Sequence, residues 1–585
     1  MSLSGVPLSA GLAPSPSNKP TNGKGQNIVR RSGNYKPALW DYDYLQSLPT
    51  LYAGEAHVEK LNKLKGEVRI MLEKTVTENP LAQLEQIDTL YRLGISYHFQ
   101  DEIKALLNTI HNNNNNNNNN DDVYATALEF KLLRLYGYTV HSEVFNVFKD
   151  EIDKGFKAIS LCGDYVKGML SLYEASFYSF KGETILDEAR DFSTKHLQKY
   201  VMMRHNNNSK DQSVDDDDDL VILVEYALEL PMHWRMIRLE AKWFIDVYSK
   251  RRDDMNPTFL ELAQIDFNLL QSTYQEDLKH VSRWWSTCKL GERLPFCRDR
   301  LVEVFLLAVA LKYEAEFGYA RRLLTKIGVL VTLMDDIYDV YGTLDELKLL
   351  EDAIERWNIN ELDQLPEYMN IFFVAMYNVV NGIAYDVLKE NEILIVKYLK
   401  RAWMDACKSY MVEAKWYYSG YTPSLEEYLE NGLISITIPL DLIFLYCLTT
   451  SPITEDSMEY LLQYPTILGL SGTLFRLVDD LATSSDELKR GDNPKSIQCY
   501  MHESGVCEND SREYIKNLIS ETWKQMNEVR VAKSPLFSQA FIESAVDFVR
   551  GAMLLYQKGD GFGTKHDGDA KDKLVSLFFN PIPTP

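Results

Sequence analysis

Apolar residues recur along most of the chain at spacings of three and four positions, which is the repeat of one face of an α-helix. Leu81, Leu84, Ile87 and Tyr91 are one example, and sustained alternation with a period of two is scarce. The pattern predicts an all-α protein. Because the chain has 585 residues, we expect two helical domains and a large buried interior.

Two polar segments of low complexity, residues 112–120 and 206–219, interrupt the helical pattern. Such segments bury too little apolar surface to order themselves, so both are predicted to be loops between helices. The acidic run at 215–219 contains the D-x-D-D pattern of cyclases that start by protonating their substrate. A catalytic acid needs an apolar surround, whereas a run of like charges stays solvated, so we do not assign catalysis to it.

The ends of the predicted domains follow from composition. Residues 1–40 contain no Asp or Glu and several serines, which is typical of an organellar transit peptide or of a disordered polar tail. Charged residues at 250–254, followed by Asn256 and Pro257, predict a break between helices. We therefore expect a leader at 1–29, an N-terminal helical domain at 30–250 and a catalytic domain at 251–585.

The net charge and the cysteine content limit which partners and which cellular compartment we expect for the protein. The net charge of −23 repels nucleic acids and anionic lipid surfaces, so an anionic small substrate needs a local basic site. The seven cysteines form no C-x-x-C pair, which favours reduced thiols inside a cell. The longest apolar runs fall short of the ~20 residues of a membrane span. We expect a soluble monomer in the plastid stroma or the cytoplasm.

The first candidate metal-binding cluster lies at the end of a strongly apolar helix. Residues 320–341 are predicted to form one helix, and its apolar stretch at 327–334 indicates burial. Gly342 then stops the helix, and Thr343 with Glu346 forms a capping box for the next one.

Three aspartates occupy the final turns of that helix. Asp335 and Asp339 lie on one face about a turn apart, whereas Asp336 points roughly 100° away. Two like charges on one face repel, and a shared divalent cation removes that conflict. This favours a Mg²⁺ site over a solvated acidic helix end.

A second cluster has the spacing of a chelating helix face. Asp479, Thr483 and Glu487 stand at positions i, i+4 and i+8, and Arg476 lies three residues earlier. Three oxygen-bearing side chains along one stripe can hold a single ion. Together the two clusters predict opposite walls of one cavity.

At these residues the chain resembles the plant class I terpene synthases. Residues 335–339 match the D-D-x-x-D motif of that family, and residues 479–487 match its (N/D)-D-x-x-(S/T)-x-x-x-E motif. Arg30, Arg31 and Trp40 match its R-R-x8-W motif, so the resemblance covers nearly the whole chain. It implies an N-terminal α-barrel-like domain with a lid strand and a C-terminal class I helical bundle that carries the active site.

The resemblance also implies the reaction, which is that of a carbon–oxygen lyase acting on phosphates. Three Mg²⁺ ions, with Mn²⁺ as an alternative, would promote loss of diphosphate from a prenyl diphosphate. Asp335, Asp339, Arg298 and Arg476 would act in catalysis. The residues expected to bind the substrate are Arg298, Arg300, Asp335, Asp339, Arg476, Asp479 and Lys495; the expected metal ligands are Asp335, Asp339, Asp479, Thr483 and Glu487.

The cation that is left behind needs a dry apolar pocket, for which Leu307, Tyr338, Tyr556 and Phe562 are candidates. Leu307 lies in the stretch where many cyclising members have tryptophan, and Phe562 replaces a histidine found in some cyclases. The expected product is therefore acyclic: ocimene or myrcene from geranyl diphosphate, farnesene from farnesyl diphosphate, or linalool or nerolidol if water enters.

Three alternatives remain open at the level of sequence. One is a synthase that makes a cyclic monoterpene. Another is a chain-elongating prenyl diphosphate synthase, although that class generally has two D-D-x-x-D motifs. The third is a helical scaffold without activity, in which the acidic clusters only solvate helix ends.

Overall fold

The computed structural model describes residues 30–584 except 76–78, 115–121, 149–162, 207–215, 252–254 and 563–567. The predicted leader at 1–29 lies outside the described residues. The described parts contain helices and no strand, so the all-α prediction is confirmed.

The helices before the predicted boundary are mostly short. They are α1 (Tyr42–Gln46), α2 (Glu55–Thr75), α3 (Pro80–Arg92), α4 (Gln100–Asn114), α5 (Val123–Leu135), α6 (Gly163–Ser176), α7 (Thr184–Asn206), α8 (Asp216–Glu229) and α9 (Ile237–Lys250). Leu84 and Ile87 of α3 are buried, as the apolar spacing predicts.

The five longest helices that the structure describes lie in the rest of the chain. The helices of this part are α10 (Pro257–Cys288), α11 (Leu290–Arg293), α12 (Leu301–Leu311), α13 (Gly318–Asp336), α14 (Leu344–Arg356), α15 (Glu367–Asn391), α16 (Val396–Ser419), α17 (Leu425–Ser435), α18 (Ile438–Thr449), α19 (Glu455–Leu461), α20 (Thr466–Arg490), α21 (Ser496–Ser504), α22 (Glu508–Val531), α23 (Gln539–Leu555) and α24 (Asp569–Phe578). The break between α9 and α10 coincides with the proposed domain boundary.

The two polar segments are more helical than predicted. Helix α4 continues to Asn114, and α8 begins at Asp216, so part of each segment is helix rather than loop. Acidic residues are favourable in the first turn of a helix because they oppose its dipole, which explains the second case. Residues 115–121 and 207–215 lie outside the described part of the chain.

The helix that carries the first aspartates does not end as a regular α-helix. Its last turn, Ile337–Tyr341, is a π-helix, closed by a 2.8 Å hydrogen bond from Gly342 N–H to Ile337 O. A Cβ on Gly342 would lie 2.8 Å from that same oxygen, so only glycine fits there. The predicted capping box of Thr343 and Glu346 is confirmed.

Helix α12 is packed between two apolar cores. Ala308 and Leu311 belong to the core of the C-terminal half, whereas Val302 and Phe305 belong to a core that includes residues of α2, α3, α4 and α10. The N-terminal half therefore supports a helix that forms part of the chamber described below.

Two stretches are long and apolar enough to cross a membrane by length and composition, contrary to the prediction that no stretch is. They are α15 and Leu425–Thr449, which spans α17 and α18. In Leu425–Thr449, 72% of the most apolar window is buried inside the protein. A buried core helix passes the same test, and both stretches contribute residues to the C-terminal core.

Six cysteines in the described part of the chain are free, in agreement with the predicted reduced thiols. The seventh, Cys162, lies in a range that the structure does not describe.

Helices α17 and α20 approach so closely that only glycine fits at their contact. A Cβ on Gly472 of α20 would lie 2.5 Å from the carbonyl oxygen of Leu433 in α17. Gly469, on the same helix, has no atom within 4 Å of such a Cβ. The two glycines therefore form a matched pair.

We predict that Gly472→Ala lowers the free energy of unfolding by about 1–3 kcal/mol, because the new methyl group overlaps a backbone oxygen that cannot move alone. Gly469→Ala is expected to raise it by about 0.5–1 kcal/mol, since alanine favours the helix. Urea denaturation followed by circular dichroism measures both. Equal effects of the two substitutions would contradict the close contact.

Candidate active site

One cavity in the C-terminal half is lined by both acidic clusters. Its charged lining includes Asp335, Asp339, Asp479, Glu487, Arg476 and Lys495. Its apolar lining includes Val304, Leu307, Leu311, Ile438, Phe475 and Phe548. A chamber of this kind can hold an anionic group at its charged wall and a hydrocarbon against its apolar wall.

On the first wall, Asp335 is held by two hydrogen bonds. Arg298 donates one through Nη2, and the Tyr410 hydroxyl donates the other over 3.0 Å. Burial acts to raise the pKa of Asp335, but Arg298, Lys495 and these bonds hold it below its usual range. Burial and the Asp335 charge raise the pKa of Asp339 well above normal.

Asp336 points away from that wall, as helix geometry predicts, and fixes Arg298. It accepts a 2.7 Å hydrogen bond from the Arg298 backbone N–H, and its Oδ1 lies 2.9 Å from Arg298 Nε. The ring of Tyr35, from the N-terminal segment, lies 5.0 Å from the Arg298 guanidinium. Asp336 therefore orients the arginine toward Asp335 and does not line the cavity.

On the second wall, Asp479, Thr483 and Glu487 all line the cavity from α20. Burial, followed by repulsion from Glu487, raises the pKa of Asp479 to about 8. Thr483 Oγ1 is buried and makes no hydrogen bond to any described residue. Helical threonines usually bond to a carbonyl one turn back, as Thr332 does to Gly328 O over 2.9 Å.

These residues fit a divalent cation. Carboxylate and hydroxyl oxygens are the ligands that Mg²⁺ prefers, and Thr483 leaves one such oxygen unused. Burial and neighbouring carboxylates raise the pKa values of Asp339 and Asp479, an electrostatic cost that a bound cation would offset. Within the described ranges no three carboxylates, imidazoles or thiols converge to enclose an ion unaided, so other ligands must complete its coordination.

Three cations surround the second wall. Arg476 Nη1 lies 3.7 Å from a carboxylate oxygen of Asp479. Lys495 Nζ and Arg490 Nη2 each lie 3.5 Å from an oxygen of Glu487. All three line the cavity, so this wall can bind an anion as well as a metal ion.

Arg30 ties the N-terminal segment to the first wall. It makes a bidentate pair with Glu346 (2.7 and 2.8 Å) and donates to the carbonyl of Tyr341 over 2.9 Å. Although burial raises it, the pKa of Glu346 falls to about 2 because Arg30 and Thr343 donate to the carboxylate. The capping residue of α14 is thus also the anchor of the segment.

Arg31 and Trp40 make further attachments. Arg31 donates to the Asp339 carbonyl over 2.8 Å and pairs with Asp492, which lies just beyond α20. Trp40 packs on Phe579 with a centroid distance of 4.8 Å. The segment therefore contacts both acidic walls and the C-terminal end of the chain, which is an arrangement compatible with the predicted lid.

Most predicted residues meet at the chamber, and two do not. Leu307, Tyr556 and Phe562 line it, together with Arg298. Tyr338 does not: its hydroxyl lies 2.6 Å from Cys407 Sγ beneath the first wall. The π-turn that begins at Ile337 explains why this side chain is placed inside the core.

Arg300 is also absent from the chamber lining. Its guanidinium donates to the carbonyls of Phe562 (2.8 Å) and Lys36 (3.2 Å). It thus joins the N-terminal segment to the loop after α23. Arg300 is the residue immediately before α12, and its side chain turns toward the N-terminal segment.

Several chamber residues escaped prediction from sequence. Tyr410 and Glu413 line it from α16, and Asp441 lines it from α18. Asp441 is the only charged residue of α18, and that isolation in an apolar helix was a usable signal. For Tyr35, the only signal in the sequence was its position between the paired arginines and Trp40.

Comparison with known proteins gives consistent matches. Residues 286–525 match the profile described as "Terpene synthase family, metal binding domain", and residues 39–228 match "Terpene synthase, N-terminal domain". The chain is 63% identical to myrcene synthase TPS5FN of Cannabis sativa, covering 95% of this chain and 97% of that protein. It is 52% identical to (−)-alpha-terpineol synthase of Vitis vinifera (95% and 92%) and to a chloroplastic myrcene synthase of Quercus ilex (95% and 90%).

Two solved structures are similar over nearly the whole chain. One is limonene synthase with 2-fluorolinalyl diphosphate, with a TM-score of 0.88 and 42% identity, covering 95% of this chain and 100% of that one. The other is isoprene synthase from grey poplar with three Mg²⁺ ions and dimethylallyl-S-thiolodiphosphate, with a TM-score of 0.80 and 38% identity, covering 93% and 100%. The two-domain helical fold is therefore confirmed.

We predict that Arg30→Met speeds amide hydrogen exchange of residues 31–39 by about tenfold or more, because a bidentate charged pair worth roughly 1.5–3 kcal/mol is lost. Glu346→Gln keeps an acceptor for the Thr343 cap and should have a similar effect. Exchange mass spectrometry measures both. Arg69→Met, which breaks the separate pair with Glu102, is the control. Exchange that is unchanged in Arg30→Met would contradict the anchoring.

Proposed function

The chain belongs to the terpene synthase family, and we propose that it ionises geranyl diphosphate and releases an acyclic monoterpene, with myrcene as the foremost candidate. Membership makes it a carbon–oxygen lyase that acts on prenyl diphosphates and carries a metal-binding domain. The proposal rests on one observation: two acidic walls, with their arginines and a lysine, border the same apolar chamber.

The charged residues would act on the leaving diphosphate. When bound, Mg²⁺ supplies positive charge that stabilises the departing oxygens. We assign its ligands to Asp335 and Asp339 on one wall and to Asp479, Thr483 and Glu487 on the other. Three ions are expected by analogy with the poplar enzyme, and Mn²⁺ could replace them.

Arg298, Arg476 and Lys495 would hold the diphosphate itself. Each lines the chamber beside a carboxylate that is assigned to the metal, so each can donate to phosphate oxygens bound to the same ions. Arg300, which the sequence also suggested, instead donates to carbonyls of the lid and of the loop after α23. We propose that it helps to close the chamber.

The apolar residues would shelter the cation. Water must be excluded before ionisation, which is the role we assign to the N-terminal segment anchored by Arg30, Arg31 and Trp40. Leu307, Tyr556 and Phe562 line the chamber, and the two aromatic rings can stabilise positive charge. Tyr338 is not part of this wall.

The product proposal rests on the relatives and on Leu307. Two of the three relatives above are named myrcene synthases, and myrcene is an acyclic C10 hydrocarbon, so its precursor is a C10 diphosphate. The name of the Vitis vinifera relative, (−)-alpha-terpineol synthase, indicates a cyclic product. Cyclic monoterpenes, ocimene, linalool, and farnesene or nerolidol from farnesyl diphosphate are the alternatives that product analysis must separate.

We also propose a plastid location, since the Quercus ilex relative is named chloroplastic and residues 1–40 have the composition of a transit peptide. The monomeric state remains a prediction. Chain elongation has less support, because the second cluster ends in Thr483 and Glu487 and not in aspartates.

We predict that Thr483→Val lowers diphosphate release about 10²-fold and raises the Mg²⁺ concentration needed for half-maximal rate, because one charge-stabilising contact is lost. Thr325→Val is the matched control: Thr325 is buried in α13 and donates to Arg321 O over 2.7 Å. A pyrophosphate assay across Mg²⁺ concentrations measures both, and chelation should abolish the rate. Normal Mg²⁺ dependence in Thr483→Val would remove this residue from the metal site.

We predict that purified protein with Mg²⁺ converts geranyl diphosphate mainly to acyclic olefin, because no tryptophan face supports ring closure near Leu307. Gas chromatography after incubation with geranyl or farnesyl diphosphate identifies the products. Addition of isopentenyl diphosphate tests chain elongation, which would yield longer diphosphates. A mainly cyclic output would refute the acyclic proposal while leaving the ionisation step intact.

A further inference from the structure

Asp441 is a carboxyl group that is flanked on both sides by apolar residues. It is the single charged residue of α18, whose sequence is IPLDLIFLYCLT, and it is only 8% exposed. Its side chain lines the chamber together with Ile438 of the same helix. The small part of the Asp441 side chain that stays exposed therefore faces the chamber.

No described residue gives Asp441 a hydrogen-bond or ion-pair partner, and burial alone raises its pKa, to about 8. The three aspartates of the metal walls differ from it. The pKa values of Asp335, Asp339 and Asp479 are each influenced by Lys495. Asp441 also lies on α18, a helix that carries none of the assigned metal ligands.

An unpaired buried carboxyl destabilises a fold unless something else requires it. Asp441 does not cap its helix, because α18 begins after Thr437 and the carboxylate accepts no bond from the first turn. Asp441 stands in the first turn of α18, where its charge opposes the helix dipole, but its burial without a partner works against that gain. Asp441 therefore lowers the stability of the fold, and its side chain faces the chamber.

We propose that Asp441 is the base that ends the reaction by removing a proton from the hydrocarbon cation. This inference rests on the proposed function, since it needs an ionised prenyl group in the chamber. The proposal assigns the final proton transfer to Asp441. The carboxylates of the acidic walls, which would bind metal, are then not required for that transfer.

The step balances in atoms and charge. Loss of diphosphate breaks the C–O bond and leaves an allylic C10 cation. An oxygen of the Asp441 carboxylate forms an O–H bond as a C–H bond next to the cationic carbon breaks, and that electron pair becomes the new C=C bond. The products are a neutral olefin and a neutral carboxyl, which returns its proton to water when the chamber opens.

The location also bears on product identity. A general base must face the proton that it removes, and Asp441 lines the chamber that would hold the cation. Proton loss from the methyl group on the cationic carbon gives myrcene, and loss from the neighbouring chain carbon gives ocimene. The C–H bond that faces Asp441 would therefore select between two acyclic olefins.

The test compares Asp441→Asn, Asp441→Leu and Asp441→Glu with the wild-type protein and geranyl diphosphate. We expect Asp441→Asn and Asp441→Leu to release diphosphate within about threefold of the wild-type rate. The ratio of acyclic olefin to alcohols and cyclic products should fall about tenfold or more, because no base removes the proton from the cation. Asp441→Glu should restore part of the olefin. Asp441→Leu should also raise the melting temperature.

Asp405→Asn is the matched control, because Asp405 pairs with Arg401 and Tyr464 and does not line the chamber. An unaltered product ratio in both Asp441→Asn and Asp441→Leu would overturn the proposal. So would a fall in diphosphate release as large as the fall in olefin, which would place Asp441 in ionisation or folding. If the wild-type protein itself releases no diphosphate, the proposed function fails first.

Discussion

The structure depends on holding two buried groups of negative charge on either side of one chamber. Burial already raises the pKa of Asp339, and the nearby Asp335 raises it further. Arg298 and Lys495 offset part of this repulsion, but Thr483 Oγ1 keeps no partner among the described residues. Under the proposed function, cations and an anionic ligand would complete the site, and binding of the substrate would be coupled to binding of the metal.

The neighbouring structure serves that same requirement. The first wall ends in a π-turn that only Gly342 can close, and the next helix is capped by Glu346, which also receives Arg30. The second wall ends close to Asp492, which receives Arg31. Closure of the chamber is thus built on the ends of the two helices that bear the acidic residues. The N-terminal segment contacts both ends, so its attachment depends on both walls.

Much of this arrangement could be predicted from the sequence. Periodicity gave the all-helical fold, and the i, i+4, i+8 spacing identified Asp479, Thr483 and Glu487 as one face. The capping box at Thr343 followed from local rules. Tyr338 and Arg300 were placed wrongly, because a π-turn and the start of a helix set the direction of a side chain, and neither has a dependable signature in sequence. Tyr35 and Tyr410 reach the site from distant segments, so only the tertiary fold could reveal them.

The anchoring of Arg30 has a consequence for how the amino terminus can be shortened. The guanidinium that meets Glu346 belongs to the first residue that the structure describes. A proteolytic cut just after Arg30 would leave the described helices intact. It would remove the pair between Arg30 and Glu346, which is the only bidentate link between the N-terminal segment and the first wall in the described residues. Any shortened form of the protein that is to keep this attachment must therefore retain residue 30.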